Sequence, residues 1–296
     1  METIGFIGLG IMGKPMAKHL VGAGFRVVGS DVVAANAAEA EKSGVVIAPN
    51  VAALAAQCSL IINMLPTPAI CREVCLGNGG IAENAKPGTL VIEMSSLSSM
   101  TAKELQTGLA QKGIAFMDAP VSGGEPKALD ATLSIMAGAS ESDYARALPV
   151  LKPMAASVIR VGEVGAGCVA KLANQIIVGI NIAAVGEALT LAAKAGVDPA
   201  LVYEAVRGGL AGSTVLDAKA PMILDRNFEP GARMEIHIKD FTNVLETAHS
   251  ISSPTPLTAI VMEMMQALKA NGMGQIDHGG VVRFYEMMAG VEVKRG

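Results

Sequence analysis

Short apolar, β-branched runs alternate with stretches of helical periodicity along the chain as far as Val161. Strands are predicted at Thr3–Ile7, Arg26–Ser30, Leu60–Met64, Thr89–Glu93, Ile114–Asp118, Thr132–Ala137 and Ser157–Val161, each a compact run of the residue types that suit a pleated surface. Between them, Met12–Val21, Ser98–Lys112 and Glu141–Lys152 repeat apolar positions at helical spacing. Strand and helix alternating in this way build βαβ units, and these give a mostly parallel sheet.

The pattern changes after Gly162. Apolar positions from Gly167 to Ala195 keep helical spacing without a proline, which predicts a single helix of roughly 45 Å at 1.5 Å per residue. Gly196 is its predicted stop, and Asp198–Pro199 supplies the N-cap and first position of the next helix. Further helices are predicted at Leu201–Arg207, around Ile238–Ser250, at Thr258–Lys269 and at Val281–Met288, with no strand beyond Val161. The expected architecture is a doubly wound α/β domain over residues 1–163. An all-α domain led by the long interdomain helix follows over residues 164–296.

Composition narrows the function. Charged residues make up 17% and the net charge is −4, which speaks against an electrostatic grip on nucleic acid or anionic lipid. The mean hydropathy of +0.45 is high for a soluble chain. Parallel strands buried on both faces, and helices covered by a second subunit, would absorb it. The longest apolar stretch, Ile176–Ala193, contains Asn181 and Glu187, and a spanning helix wants about 20 residues almost free of charge. Glu2 stands where a signal peptide carries basic residues, and Lys14 and Lys18 interrupt an apolar leader. A cytoplasmic, membrane-free protein is expected. Cys58, Cys71, Cys75 and Cys168 read as buried thiols of a reducing compartment. Cys71 and Cys75 could share a helix face, but no second pair completes a zinc site, and His19, His237, His249 and His278 are scattered. No metal is expected.

The first strand runs directly into Gly8-Leu9-Gly10-Ile11-Met12-Gly13. In a G-x-G-x-x-G between strand and helix, Gly8 permits a tight turn, Gly10 lets backbone approach a pyrophosphate, and Gly13 allows close helix–strand packing. The pyrophosphate would rest on the amides at the helix N-terminus. Asp31 ends the second strand, near the position where an acidic residue takes the ribose hydroxyls of NAD; the alternative is that it caps a turn. Val32 and Val33 follow it, and the nearest bases are Arg26 and Lys42. A 2′-phosphate would find a carboxylate and no cation, so NADH is expected over NADPH. Met64-Leu65-Pro66 and Ser95-Ser96 also follow strands and are candidates for the cofactor cleft.

Two segments bear on the substrate. Asp118-Ala-Pro-Val-Ser122-Gly123-Gly124 exposes backbone amides suited to a carboxylate, although taken alone it is more simply a glycine-rich turn. Gly165-Ala-Gly-Cys-Val-Ala-Lys171-Leu-Ala-Asn174-Gln175 opens the long helix, with Lys171, Asn174 and Gln175 on one face. A lysine in an apolar helix is costly unless paired. It could snorkel at a solvated edge, but a domain junction is where ligand clefts tend to form. Lys239-Asp240, by itself, is a surface charge pair.

In order, Gly8–Gly13, Asp118–Gly124, Gly165–Asn174 and Lys239–Asp240 resemble the four signatures of the β-hydroxyacid dehydrogenases. The resemblance spans most of the chain. It implies that Gly8, Leu9, Gly10, Ile11, Met12 and Gly13 hold the dinucleotide pyrophosphate, Asp31 its ribose, and Met64, Leu65, Pro66 and Ser96 border it. It also implies that Ser122, Gly123 and Gly124 bind a substrate carboxylate, that Lys171 is catalytic with Asn174 orienting it or the substrate, and that Lys239 closes over the cofactor. Relatives often carry Arg or another polar residue where Val32 stands, which again favours NADH. The stretches Asp118–Thr132 and Ala205–Phe228 are most similar to family members that reduce tartronate semialdehyde to D-glycerate. Neighbouring specificities are 3-hydroxyisobutyrate, succinic semialdehyde or glyoxylate, and threonate. A decarboxylating 6-phosphogluconate-type enzyme would need a phosphate clamp and a longer helical part, and a non-catalytic NAD sensor would have no use for Lys171 in that setting. The family further implies a homodimer or homotetramer.

Overall fold

The computed structural model describes residues 3–296; Glu2, used above in reading the N-terminus, lies outside them. Residues up to Lys171 form one compact unit and Leu172–Gly296 a second. The division falls inside the long helix, eight residues beyond the boundary expected from sequence between residues 163 and 164.

The first unit runs β1 (Thr3–Ile7), α1 (Gly13–Gly22), β2 (Arg26–Ser30), α2 (Ala34–Glu41), β3 (Val46–Ile47), α3 (Val51–Ala55), β4 (Leu60–Asn63), α4 (Pro68–Leu76), α5 (Ile81–Asn84), β5 (Leu90–Glu93), α6 (Ser99–Ala110), β6 (Ala115–Asp118), β7 (Val121–Ser122), α7 (Gly124–Leu129), β8 (Leu133–Gly138), α8 (Glu141–Leu151) and β9 (Ala155–Gly162). All seven strands expected from sequence are present, with ends shifted by a residue or two; β3 and β7, two residues each, were too short to carry a periodic signal.

Strands β1 to β6 pair in parallel in the order β3-β2-β1-β4-β5-β6. This is the doubly wound order of dinucleotide-binding domains, with its switch point between β1 and β4. The parallel run ends at β6. Strand β8 is antiparallel to β6, through Asp118 and Gly138, and antiparallel to β7. Strand β9 then runs parallel along the other edge of β8. Alternate residues of the central strands feed two cores. Ile4, Phe6, Leu60, Ile62, Leu90 and Ile92 pack with Met16 and Leu20 of α1 on one face. Ile7, Ile61, Val91 and Phe116 pack with Leu54, Cys71, Cys75 and Leu105 on the other. Burial on both faces explains why these strands read as continuous apolar runs.

The second unit is helical. It takes α9 (Ala166–Lys194) from Leu172 onward, then α10 (Pro199–Val206), α11 (Thr214–Leu224), α12 (Met234–Ser250), α13 (Pro256–Leu268) and α14 (Val282–Ala289). Helix α9 matches the long helix expected over Gly167–Ala195, and the Asp198 side chain caps α10 as anticipated, accepting from the Ala200 amide at 2.8 Å. Helix α11 was not expected from sequence. Its start lies just after Gly208, Gly209 and Gly212 and it contains Pro221, so propensity argues against it. A Ser213 cap and burial of Leu216, Ala220, Ile223 and Leu224 outweigh that.

Helix α9 is long and apolar enough to cross a membrane by length and composition alone. Within the second unit its Leu172, Ile182 and Ala183 pack against Ile238 and Phe241 of α12, and its Val185 and Leu189 join the cluster of α10 and α11. That is the packing of a core helix.

Candidate active site

The candidate cofactor residues of the first unit leave the carboxyl ends of the parallel strands, whereas Lys239 lies on α12. Gly8 follows β1 with φ +94°, and a Cβ there would run into the Met64 carbonyl oxygen beyond β4. At Gly13 a Cβ would strike the Gly8 carbonyl oxygen and come within 3.0 Å of the Phe6 ring, so only glycine lets α1 pack this close to β1. At Gly10 a Cβ would meet nothing within 4 Å. Two glycines are thus dictated by protein packing, and the middle one leaves a surface where something outside the chain can approach the backbone. No side chain caps α1 at Met12; the Lys14 amide bonds the Gly10 carbonyl at 3.0 Å and Pro15 has no N–H, so an anion here would be met by the amides of the glycine turn that leads into the helix. A dinucleotide pyrophosphate fits this cradle.

Asp31, half-buried just past β2, accepts from the Leu9 amide through Oδ2 at 2.7 Å and from the Val33 amide through Oδ1 at 2.7 Å. Asn36 Nδ2 adds a longer bond to Oδ2, at 3.3 Å. Val32 beside it is fully exposed. Arg26 stands at the opposite end of β2, and Lys42 is paired with Glu39 at 3.2 Å.

The Leu65–Pro66 turn is held from below. Ser95 Oγ accepts from the Leu65 amide at 2.7 Å, and Glu93 Oε1 accepts from the Ser95 amide at 3.0 Å. Asn63 Nδ2 donates to Glu93 Oε2 at 3.1 Å and to Cys75 Sγ at 3.3 Å. Glu93 is fully buried, and desolvation pushes its carboxyl above the usual range although the bonds from Ser95, Asn63 and Cys71 pull it back. Sequence reasoning singled out Ser96, which is half-buried here, and passed over Asn63 and Glu93. The available signal was a polar residue closing each of two otherwise apolar strands.

Ser122 ends β7, opposite Ser134 of β8. Gly123 and Gly124 follow with φ +136° and +67° and are exposed. Lys171 is buried at 9% exposure on α9. The first turn of that helix is tied to β6, where Asp118 accepts from the Gly165 amide through Oδ1 and from the Cys168 amide through Oδ2, each at 2.7 Å.

In the second unit Asn174 Nδ2 donates to Gln175 Oε1 at 2.8 Å, and Gln175 Nε2 to Asp240 Oδ2 at 2.7 Å. Lys239 Nζ lies 3.4 Å from Asp240 Oδ1, so the pair read from sequence as surface charges includes a carboxylate that is only 4% exposed. Cys58, Cys71, Cys75 and Cys168 are all buried, and no cluster of metal-ligating residues occurs among the described residues.

A glycine-rich turn at the switch point of a doubly wound sheet, an acidic residue after β2, and a buried lysine on the helix that follows define a dinucleotide-dependent oxidoreductase. Comparison with known proteins gives the family. Residues 3–162 match the NAD-binding domain of 6-phosphogluconate dehydrogenase, and residues 165–285 match the NAD-binding family of NADP-dependent 3-hydroxyisobutyrate dehydrogenase. The chain is 37% identical to 2-hydroxy-3-oxopropionate reductase of Escherichia coli (strain K12), over 97% of this chain and 98% of the relative. It is 36% identical to 2-(hydroxymethyl)glutarate dehydrogenase of Eubacterium barkeri, over 99% and 98%. Among solved structures, 3-hydroxyisobutyrate dehydrogenase of Mycobacterium tuberculosis with L-serine superposes with a TM-score of 0.88 at 31% identity, covering 96% and 98% of the two chains. The chain belongs to the β-hydroxyacid dehydrogenase family, and it is an NAD(P)-dependent oxidoreductase acting on hydroxyl groups.

Proposed function

We propose that the protein reduces tartronate semialdehyde to D-glycerate with NADH, in a reversible reaction with Lys171 as general acid and base. Lys171 carries the reading: its side chain is buried to 9% exposure on α9, three residues beyond the Cys168 amide that Asp118 holds, and a buried lysine at such a fixed point suits a proton-transfer role. The substrate is supported by the 37% identity to a 2-hydroxy-3-oxopropionate reductase over nearly the whole of both chains. NADH is supported by the Asp31 carboxylate beside exposed Val32, while Arg26 lies at the far end of β2 and Lys42 is paired with Glu39.

In this reading Gly8, Leu9, Gly10, Ile11, Met12 and Gly13 hold the pyrophosphate on backbone amides, Asp31 takes the ribose, and Met64, Leu65, Pro66 and Ser96 border the cofactor. Lys239 covers it. Ser122 with the amides of Gly123 and Gly124 takes the substrate carboxylate. When bound, NADH supplies a hydride to the aldehyde carbon. The Lys171 ammonium hydrogen-bonds the carbonyl oxygen and delivers a proton to it as negative charge develops, so that the aldehyde becomes a primary alcohol. The neutral amine then regains its proton from water; in the oxidising direction it accepts the hydroxyl proton. Asn174 orients Lys171 or the substrate. A homodimer or homotetramer in the cytoplasm completes the proposal, with the exposed apolar side chains Ile177 and Leu191 of α9 at a subunit contact.

The test follows NADH absorbance with purified protein and tartronate semialdehyde, alongside NADPH and other semialdehydes. Selective NADH oxidation with tartronate semialdehyde is expected. The Lys171→Ala protein should still bind NADH while kcat falls roughly 10²–10⁴-fold. Turnover only on a different β-hydroxyacid or semialdehyde would replace the substrate, and wild-type turnover by Lys171→Ala would remove the catalytic assignment.

A further inference from the structure

We infer that Asp118 is the positioning residue for Lys171, because its carboxylate caps α9 from outside the helix and fixes where that helix begins. The inference rests on the reading of Lys171 as the proton donor. Asp118, Gly165, Cys168 and Lys171 all lie in the first unit.

Helix α9 runs over 29 residues from Ala166, and Gly165 before it has no side chain to cap it. A capping box places Ser or Thr at the N-cap and Glu or Gln three residues later, so that two side chains satisfy the amides of those two positions. Here the two positions are Gly165 and Cys168. Gly165 has no side chain, and its φ of +95° disfavours any residue that has one. Asp118 does both jobs, one oxygen to each amide at 2.7 Å, from 47 and 50 residues earlier in the chain. The negative charge also sits at the positive end of the helix dipole.

The approach is too close for slack. A Cβ on Gly138 would press on Asp118 Oδ1 and lie 2.8 Å from the Gly167 nitrogen. A Cβ on Gly167 would strike the Met136 carbonyl oxygen and lie 2.9 Å from Asp118 Oδ2. Lys171 follows Cys168 by three residues, a rise of about 4.5 Å within one rigid turn. Any shift of the helix start therefore reaches Lys171 undiminished, and a misplacement of about 1 Å can cost about 10²-fold in rate.

Stability alone does not explain a carboxylate here. Asp118 is fully buried, and burial pushes its carboxyl above the usual range despite the bonds from Gly165 and Cys168. A neutral local cap would secure the helix without burying a charge. What the carboxylate adds is a fixed anchor from the sheet.

The experiment compares Asp118→Asn with wild type in the full-length protein. The amide can accept from only one of the two helix amides and turns an NH2 group towards the other. NADH affinity should stay within about twofold and the substrate KM near its wild-type value, while kcat falls about 10–100-fold. Hydrogen exchange of peptides covering Gly165–Lys171 should rise. Ser140→Ala removes the side-chain acceptor that holds the first turn of α8 at Asp143; it should lower the melting temperature and leave kcat unchanged, separating lost capping stability from lost positioning. Should Asp118→Asn fail to fold, Gly167→Ala keeps the carboxylate and displaces the helix, with the same fall in kcat expected. Wild-type kcat in Asp118→Asn or, if that variant fails to fold, in Gly167→Ala, while Lys171→Ala is inactive, overturns the inference and leaves the Lys171 reading standing, as does unchanged exchange at Gly165–Lys171 in Asp118→Asn. Wild-type turnover in Lys171→Ala overturns both.

Discussion

Asp31 Oδ2 accepts a hydrogen bond from the Leu9 amide at 2.7 Å, so the end of β2 and the glycine turn after β1 are fastened by one carboxylate. The same residue is therefore part of the turn's scaffold and, in the proposed function, the group that takes the ribose. Asp31→Ala should raise the KM for NADH about tenfold or more, since bonds to a charged group are worth about 1.5–3 kcal/mol. Asp31→Ser combined with Val32→Arg should shift kcat/KM towards NADPH by about 10–100-fold. Initial rates with both cofactors check this; a wild-type protein that already prefers NADPH would sink the charge argument.

The glycines of the turn should separate by role. Gly13→Ala forces α1 away from the Gly8 carbonyl, and overpacking of this kind costs about 1–3 kcal/mol, visible as a lower melting temperature. Gly10→Ala meets no protein atom, so the fold should be unchanged within about 0.5 kcal/mol while NADH binding weakens. Fluorescence titration of NADH against Gly10→Ala is the decisive reading, and wild-type affinity there would mean that nothing approaches the backbone at that point.

Glu93 makes a prediction about pH. Burial raises its carboxyl above the usual range, so the stability linked to its protonated form is complete below the unfolded value of about 4.3 and is lost as pH rises through the folded value. Glu93→Gln does not titrate. Its urea midpoint should therefore gain on that of the wild type as pH rises from about 4.3 and then level off. A difference that moves the other way would show that the bonds from Ser95 and Asn63 outweigh desolvation.

Asp277 should behave in the opposite sense. It is fully buried and accepts from Lys219 Nζ at 2.8 Å and from the amides of Gly231, Ala232 and Gly279 at 3.1, 3.0 and 2.7 Å. Burial alone would raise its carboxyl, but the charges of His278 and Lys219 and the bonds from Lys219 and the Gly279 amide bring it below the usual value. Its contribution is thus present at neutral pH and is lost as pH falls below about 3.9 and through the folded value. Asp277→Asn should cost about 3–5 kcal/mol at pH 7, as for a broken buried pair. Denaturation at several pH values should show that penalty shrinking in acid.

Much of this was legible beforehand because burial leaves a periodic trace. Strands buried on two faces read as apolar runs, α9 read as one long helix with apolar positions at helical spacing, and a glycine fingerprint between strand and helix has few alternatives. Periodicity says which residues are buried, though, and not against what. It gave no warning that β8 reverses direction, since a strand has the same pattern whichever way its neighbour runs. It missed α11, where cap and core override a glycine-rich approach and Pro221. Likewise Asp118 read only as the first residue of a glycine-rich turn.

The sequence by itself therefore determined the seven longer strands, the long helix α9, the glycine turn at Gly8–Gly13 and the family, because each is carried by motifs whose residues lie close together in the chain. Tertiary structure alone decided that Asp118 caps α9 and that Glu93 sits beneath the Leu65 turn. Those bonds join residues 47 and 30 positions apart, and only the folded sheet brings such distant groups within hydrogen-bond reach.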